Sequence, residues 1–127
     1  MSWTRVCFRY VGDAVDVERV SFTLGLPRAI TYRRGDNPKS RAPNSWILES
    51  NLSEYDELET HIWWLLDELL PLKNDILQLN AEFGNPSFFC TIGNDGEDEA
   101  THVANFRPET IATIASLQAS LLLSFSG

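Results

Sequence analysis

Few side chains in this sequence are of the kinds that carry out chemistry: there are two histidines and two cysteines among 127 residues. His61 and His102 have no partner three or four positions away that would complete a pair of metal ligands around a catalytic water. Cys7 and Cys90 lie in separate strand-like runs without a CxxC spacing, and no neighbouring base is identifiable that would form a thiolate. We therefore predict no catalytic residues, no metal and no cofactor, and we expect that the protein is not an enzyme.

A basic segment, Arg28–Arg41, is a candidate for binding an anion. It carries five basic residues against Asp36 alone, in a part of the sequence where glycine and prolines predict an irregular loop. Guanidinium groups bind phosphate or carboxylate well, although no helix N-terminus is evident behind this loop. The candidate anion site consists of Arg33, Arg34, Lys39 and Arg41.

The longest periodic segment, Ser53–Leu70, predicts a helix around which the other elements pack. The Ser53 hydroxyl can cap the first turn by accepting from the N–H of Asp56, and Pro71 cannot continue the helix. One apolar stripe recurs at helical spacing and is predicted to face the core: Tyr55, Leu58, Ile62, Leu65, Leu66 and Leu69.

The opposite side of this helix is predicted to be an exposed acidic face. A large aromatic ring, Trp64, falls among its carboxylates, where an apolar side chain is not expected unless something covers it. Either another element folds over Trp64, or Trp64 is the anchor of an interface with a basic partner. The candidate protein interface recurs at i, i+4, i+7 and i+11 and consists of Glu57, His61, Trp64 and Glu68.

Length and composition limit the class of protein. A chain of 127 residues with 43% hydrophobic content is predicted to form a single domain, 1–127, that needs no disulfide or metal. The apolar runs are far shorter than a membrane span and no signal peptide is evident, so we expect a soluble cytoplasmic protein with reduced, buried cysteines. The formal charge of −8 disfavours nucleic acid and favours a basic protein partner.

The remaining segments predict an α+β fold, with a mixed sheet of about five strands and helices packed on it. Residues 3–33 and 87–125 share the order strand, polar turn, helix and short strand, which suggests a duplicated βαβ unit around the central long helix. The strands are predicted at Trp3–Val11, Ala29–Arg33, Trp46–Ser50, Ser87–Ile92, Thr101–Phe106 and Leu121–Phe125.

Three further helices are predicted between these strands. Asp13 is placed to cap the first, Leu72–Glu82 forms the second, and Pro108 opens the third. Their inward-facing residues are predicted to include Val17, Val20, Leu24, Ile76, Leu79, Ile111, Ile114 and Ala115.

Several motifs, spread over nearly the whole chain, are similar to those of a known protein family. They are the first strand ending Val11-Gly12-Asp13, the helix end Leu24-Gly25-Leu26-Pro27, the turn Arg34-Gly35-Asp36, the strand Ser45-Trp46-Ile47-Leu48 and the last helix and strand. In these features the sequence resembles the bacterial family called domain of unknown function 4279. The resemblance implies a fold but no chemistry, and it brings no active site to this chain.

Three hypotheses for function follow. The first is a non-enzymatic cytoplasmic binding protein, such as an immunity protein or a similar neutraliser of a basic, toxin-like protein. The second is a small anion-binding, ligand-binding or enzymatic domain that uses the Arg28–Arg41 loop. The third is a structural module that associates with itself. The sequence is compatible with a monomer or a homodimer, and no nucleic acid or membrane partner is expected.

Overall fold

The computed structural model describes residues 2–94 and 105–126. Five strands form one sheet: β1 (Ser2–Val11), β2 (Ile30–Tyr32), β3 (Ser45–Glu49), β4 (Ser87–Asn94) and β5 (Ser120–Ser126). Their order across the sheet is β2-β3-β1-β4-β5, so the first strand of the chain lies in the middle. This arrangement confirms the predicted α+β fold with a mixed five-stranded sheet.

The strand directions show how far the two halves of the chain share the predicted βαβ arrangement. β1 is antiparallel to both β3 and β4, and β2 is antiparallel to β3, so β1 and β2 run parallel with β3 inserted between them. β4 and β5 are parallel and directly adjacent. Both halves therefore contain two parallel strands and a helix, but only the C-terminal half is a βαβ unit of neighbouring strands.

Helices cover one face of the sheet, and the core lies between them and that face. The helices are α1 (Val17–Leu24), α2 (Leu58–Leu69), α3 (Lys73–Phe83) and α4 (Pro108–Ser116), with a 3-10 turn at Leu70–Leu72. At the centre of the core, the ring of Phe8 makes edge contacts with Tyr10, Trp46 and Phe88 at centroid distances of 5.7, 6.3 and 5.2 Å. Among the described helices, none is long and apolar enough to cross a membrane.

A buried polar bridge joins the core strand to two helices. The Tyr10 hydroxyl donates to Asn80 Oδ1 at 2.6 Å, and Asn80 Nδ2 donates to the carbonyl of Leu117 at 2.8 Å. Burial raises the pKa of Tyr10, so the hydroxyl keeps its proton and its role as donor. Because these side chains are buried, the bridge fixes how α3 and the end of α4 sit on β1.

The central helix begins later than predicted. α2 starts at Leu58 with Glu57 at the N-cap position, whereas residues from Ser53 to Asp56 form a turn of their own. In this turn the N–H of Ser53 donates to the Asp56 carboxylate at 3.1 Å and the N–H of Asp56 donates to the carbonyl of Ser53 at 3.0 Å. Ser and Asp side chains compete for backbone N–H groups in this way, and the prediction that Ser53 caps α2 was wrong.

Burial of the helical faces was predicted well for α1 and α3 and less well elsewhere. Tyr55 was placed in the core stripe but lies before α2 and is exposed, and α1 is capped by Asp16 rather than Asp13. On α4, Ile114 is buried as predicted, but Ile111 and Ala115 are exposed. The strand predicted at Thr101–Phe106 falls largely outside the described residues, and positions 105 and 106 are not in a strand.

The two cysteines lie on opposite faces of the sheet. Cys90 faces the helices and is fully buried, which raises its pKa to about 12. Cys7 faces the other side, is only partly buried, and has its pKa raised mainly by burial. The prediction of two buried thiols is therefore confirmed for Cys90 and wrong for Cys7, because neighbouring residues of a strand alternate between the two faces.

Candidate functional site

A surface groove runs beside the central helix and contains two of the four tryptophans. Its volume is about 410 Å³. Three carboxylates lie along it, so we call it the acidic groove; it is lined by Leu52, Glu57, Glu59, Thr60, Trp63, Trp64, Asp67 and Arg107. Most of these residues come from successive turns of α2, and helical spacing places them on one side.

One wall of the acidic groove is held by hydrogen bonds between α2 and α4. Trp63 Nε1 donates to Thr110 Oγ1 at 2.9 Å, and that hydroxyl donates to Glu59 Oε2, also at 2.9 Å. Arg107 donates to the same carboxylate through its backbone N–H at 2.7 Å and through Nε at 2.8 Å. These hydrogen bonds lower the pKa of Glu59, and the bond from the Arg107 backbone has the largest effect. The Glu59 carboxylate therefore stays ionised, and both of its oxygens already accept hydrogen bonds from within the protein.

The other side of the groove carries a tryptophan ring that contacts a cation. Trp64 is partly buried, and the guanidinium of Arg28 lies 5.2 Å from the centroid of its ring. That distance is within the range of a cation–π contact. Glu57 and Asp67 are exposed, and both line the same groove. The acidic groove thus combines the features that favour a cationic side chain: an aromatic face and negative charge.

The predicted interface stripe is brought together only in part. Glu57 and Trp64 line the acidic groove, and Glu68 is exposed on the same helix but is not among the lining residues. His61, placed on the exposed face by prediction, is only 2% exposed. The stripe Glu57, His61, Trp64 and Glu68 is therefore not continuous at the surface, because α2 turns His61 towards the segment that follows β3.

His61 lies beside a second cavity of about 400 Å³, which residues of β1, β4, α2 and the segment from the end of β3 to Glu54 line together. Its Nδ1 lies 2.7 Å from Ser50 Oγ, and burial lowers its pKa, an effect that the nearby Asp56 carboxylate and the backbone of Ser53 and Asp56 partly oppose. The cavity is lined by Thr4, Arg5, Val6, Cys7, Glu49, Ser50, Leu52, Glu54, His61, Phe89 and Thr91.

This cavity lacks the parts of a nucleophilic site. A serine hydroxyl next to an imidazole is the start of a catalytic triad, but the second ring nitrogen must be oriented by a third group. Nε2 of His61 is buried and has no hydrogen-bond partner among the described residues. The raised pKa of Cys7 disfavours a thiolate, and the described residues hold no cluster of three or more acidic, histidine or cysteine side chains for a metal.

The basic loop does not gather its cations into one site. Arg33 Nη2 lies 2.9 Å from Glu18 Oε1, and Arg34 Nη1 lies 2.7 Å from Asp13 Oδ2. Both arginines thus fix the loop against the segment around α1. The remaining two members of the candidate anion site, Lys39 and Arg41, are exposed, and neither makes an ion pair within residues 2–94 and 105–126.

The sequence matches the family described as domain of unknown function (DUF4279) over residues 2–126. The chain belongs to the DUF4279 family. No curated protein and no solved structure matches it. Family membership confirms the predicted resemblance and supplies no activity, so function in this DUF4279 domain has to be argued from its own surface.

Several residues of the acidic groove in this DUF4279 domain were absent from the predicted interface. Asp67 follows Trp64 by three positions and Trp63 precedes Asp67 by four, so helical spacing alone could have added both. Arg107, which also lines the groove, and Arg28, which contacts the Trp64 ring, are far from α2 in the sequence. No local pattern places them there, because their positions depend on how the loop after α1 and the start of α4 pack.

Proposed function

We propose that this protein is a non-enzymatic binding protein whose acidic groove receives a basic side chain of a protein partner. The single observation that carries the proposal is the guanidinium of Arg28 over the ring of Trp64, at a groove lined by carboxylates. The ring of Trp64, which lines this groove, thus already makes a cation–π contact within the protein. A partner's arginine or lysine would bind in the same manner and would compete with Arg28.

Charge supports a basic protein as the partner. The formal net charge is −8, and the segment Arg28–Arg41 contributes a net +4, so the rest of the chain carries −12. A surface of this sign accelerates encounter with a basic protein and disfavours nucleic acid. In a bacterial cytoplasm such a protein fits an immunity protein that neutralises a basic toxin-like partner.

Two variants separate the contributions of the ring and the carboxylates. Trp64→Ala should mainly raise the dissociation rate and cost on the order of 2 kcal/mol of binding, since buried tryptophans anchor interfaces. Glu57→Gln combined with Asp67→Asn should mainly lower the association rate and flatten its dependence on salt. The association and dissociation rates of each variant are measured by surface plasmon resonance, against the basic protein recovered from native lysate.

Glu68→Gln is the matched control, since it removes one charge from the same helix outside the groove lining. It should change the association rate much less, per charge removed, than Glu57→Gln combined with Asp67→Asn does. An equal effect per charge removed for Glu68→Gln and for the Glu57→Gln, Asp67→Asn pair would show that only overall charge matters and would contradict a specific groove. A captured partner that is acidic, or whose binding does not respond to Trp64→Ala, would refute the proposed function.

A further inference from the structure

The two edges of the sheet differ in how well they are protected from pairing with another chain. The edge strand β2 has three residues and lies between Arg28 and the pair Arg33-Arg34, features that discourage further strand pairing. The edge strand β5 has seven residues, Ser120–Ser126, with no charged residue and no proline. In the described part of the chain no strand lies on its outer side.

The hydrogen bonds of β5 show which of its backbone groups point outward. The N–H of Ser120 donates to the carbonyl of Pro86 at 2.9 Å, next to the start of β4. In a strand the N–H and C=O of one residue point to the same side, and successive residues alternate. Residues 120, 122, 124 and 126 therefore bond to β4, and the backbone groups of Leu121 and Leu123 point to the outer edge.

We propose that β5 pairs antiparallel with β5 of a second copy, around a two-fold axis at Leu123, to form a ten-stranded sheet. In this register Leu123 lies directly opposite Leu123 of the other copy. The outward-pointing N–H and C=O groups of each Leu123 then bond to those of the other. Leu121 then lies opposite Phe125, and Ser120 opposite Ser126. The apolar side chains meet on the helix side of the sheet, where Leu123 and Phe125 are 39% and 51% exposed in one copy.

Charge favours a second copy as the occupant of this edge. A strand without charge creates no repulsion with itself, even though each chain carries −8. A basic partner would instead be drawn to the carboxylates of the acidic groove, which lies on another part of the surface. Because the axis is perpendicular to the sheet, the α4 helices of both copies lie on the same side, and each carries the exposed apolar residue Ile111.

Sedimentation of the full chain over a range of concentrations tests the proposal. The wild-type protein should approach twice the mass of one 14.4 kDa chain as concentration rises. Leu123→Lys places two like charges opposite each other at the axis and should weaken the dimer at least about tenfold. Leu122→Lys is the matched control: Leu122 is similarly exposed at 44% but lies on the other face, opposite Ser124.

Mixing variants tests the register independently of folding. An equimolar mixture of Leu123→Lys and Leu123→Glu should recover the dimer that each variant lacks alone, because opposite charges then meet at the axis. Recovery also shows that both variants are folded. A wild-type chain that stays monomeric at all concentrations would overturn the proposal. So would a dimer that Leu123→Lys leaves intact, or a mixture that does not restore pairing.

Discussion

The free energy of unfolding should fall as the pH is lowered from about 7.5 to about 5.5, and His61 should account for part of the fall. Burial lowers the pKa of His61 in the folded state below its ordinary value of 6.5. The unfolded chain therefore takes up a proton as the pH falls through about 6.5, while the folded chain does not, so protonation favours unfolding. The slope from one such group is at most about 1.4 kcal/mol per pH unit and ends below the folded-state pKa.

Urea unfolding at several pH values measures this slope, and His61→Gln provides the comparison. The difference in slope between wild type and variant isolates His61, because the carboxylates contribute equally to both. Glu59 also has a lowered pKa, but its effect begins as the pH falls through about 4.5, outside this interval. Parallel pH profiles for wild type and His61→Gln would refute the reasoning.

Two further predictions concern packing. Tyr10→Phe should lower the free energy of unfolding by about 1–3 kcal/mol, because Asn80 Oδ1 would stay buried without its donor. Urea denaturation measures this loss, and a loss below about 0.5 kcal/mol would show that water or another group replaces the hydroxyl. Gly93→Ala should cost on the order of 1–3 kcal/mol, because a methyl group there would overlap the indole of Trp3. In thermal or urea unfolding, Trp3→Ala should relieve most of that added cost, and strictly additive losses would contradict the overlap.

The elements of this fold could be predicted from the sequence because their signals are local. Gly25 takes the left-handed conformation, with φ of 62°, that the pattern before Pro27 predicts, and Pro108 opens α4 as expected. Alternation along β1 puts Val6, Phe8 and Tyr10 on one face of the strand, and this is the face that the structure buries. These outcomes follow from steric preferences of single residues and from the two-residue period of a strand.

The candidate site was predicted less well because its geometry depends on distant segments. Helical spacing put His61 on the exposed face, but the turn from Ser53 to Asp56 and the end of β3 cover that part of α2. Similarly, the sequence analysis placed Arg33 and Arg34 in a candidate anion site, whereas in the structure they pair with the carboxylates of Glu18 and Asp13. In both cases the groups that can interact are evident from the sequence, but the tertiary structure determines which of them come into contact.

The central position of β1 has a consequence for how the chain reaches its fold. Of the five strands of this sheet β1 is synthesised first, yet its Cys7 pairs with Glu49 on one side and Phe89 on the other. The nascent strand therefore has no neighbour until β3 leaves the ribosome, and its second neighbour follows about forty residues later. Until then its apolar face, with Val6 and Phe8, is available to chaperones or to wrong partners. Such distant pairings also slow folding, because the entropy of closing each long loop is lost before the contacts form.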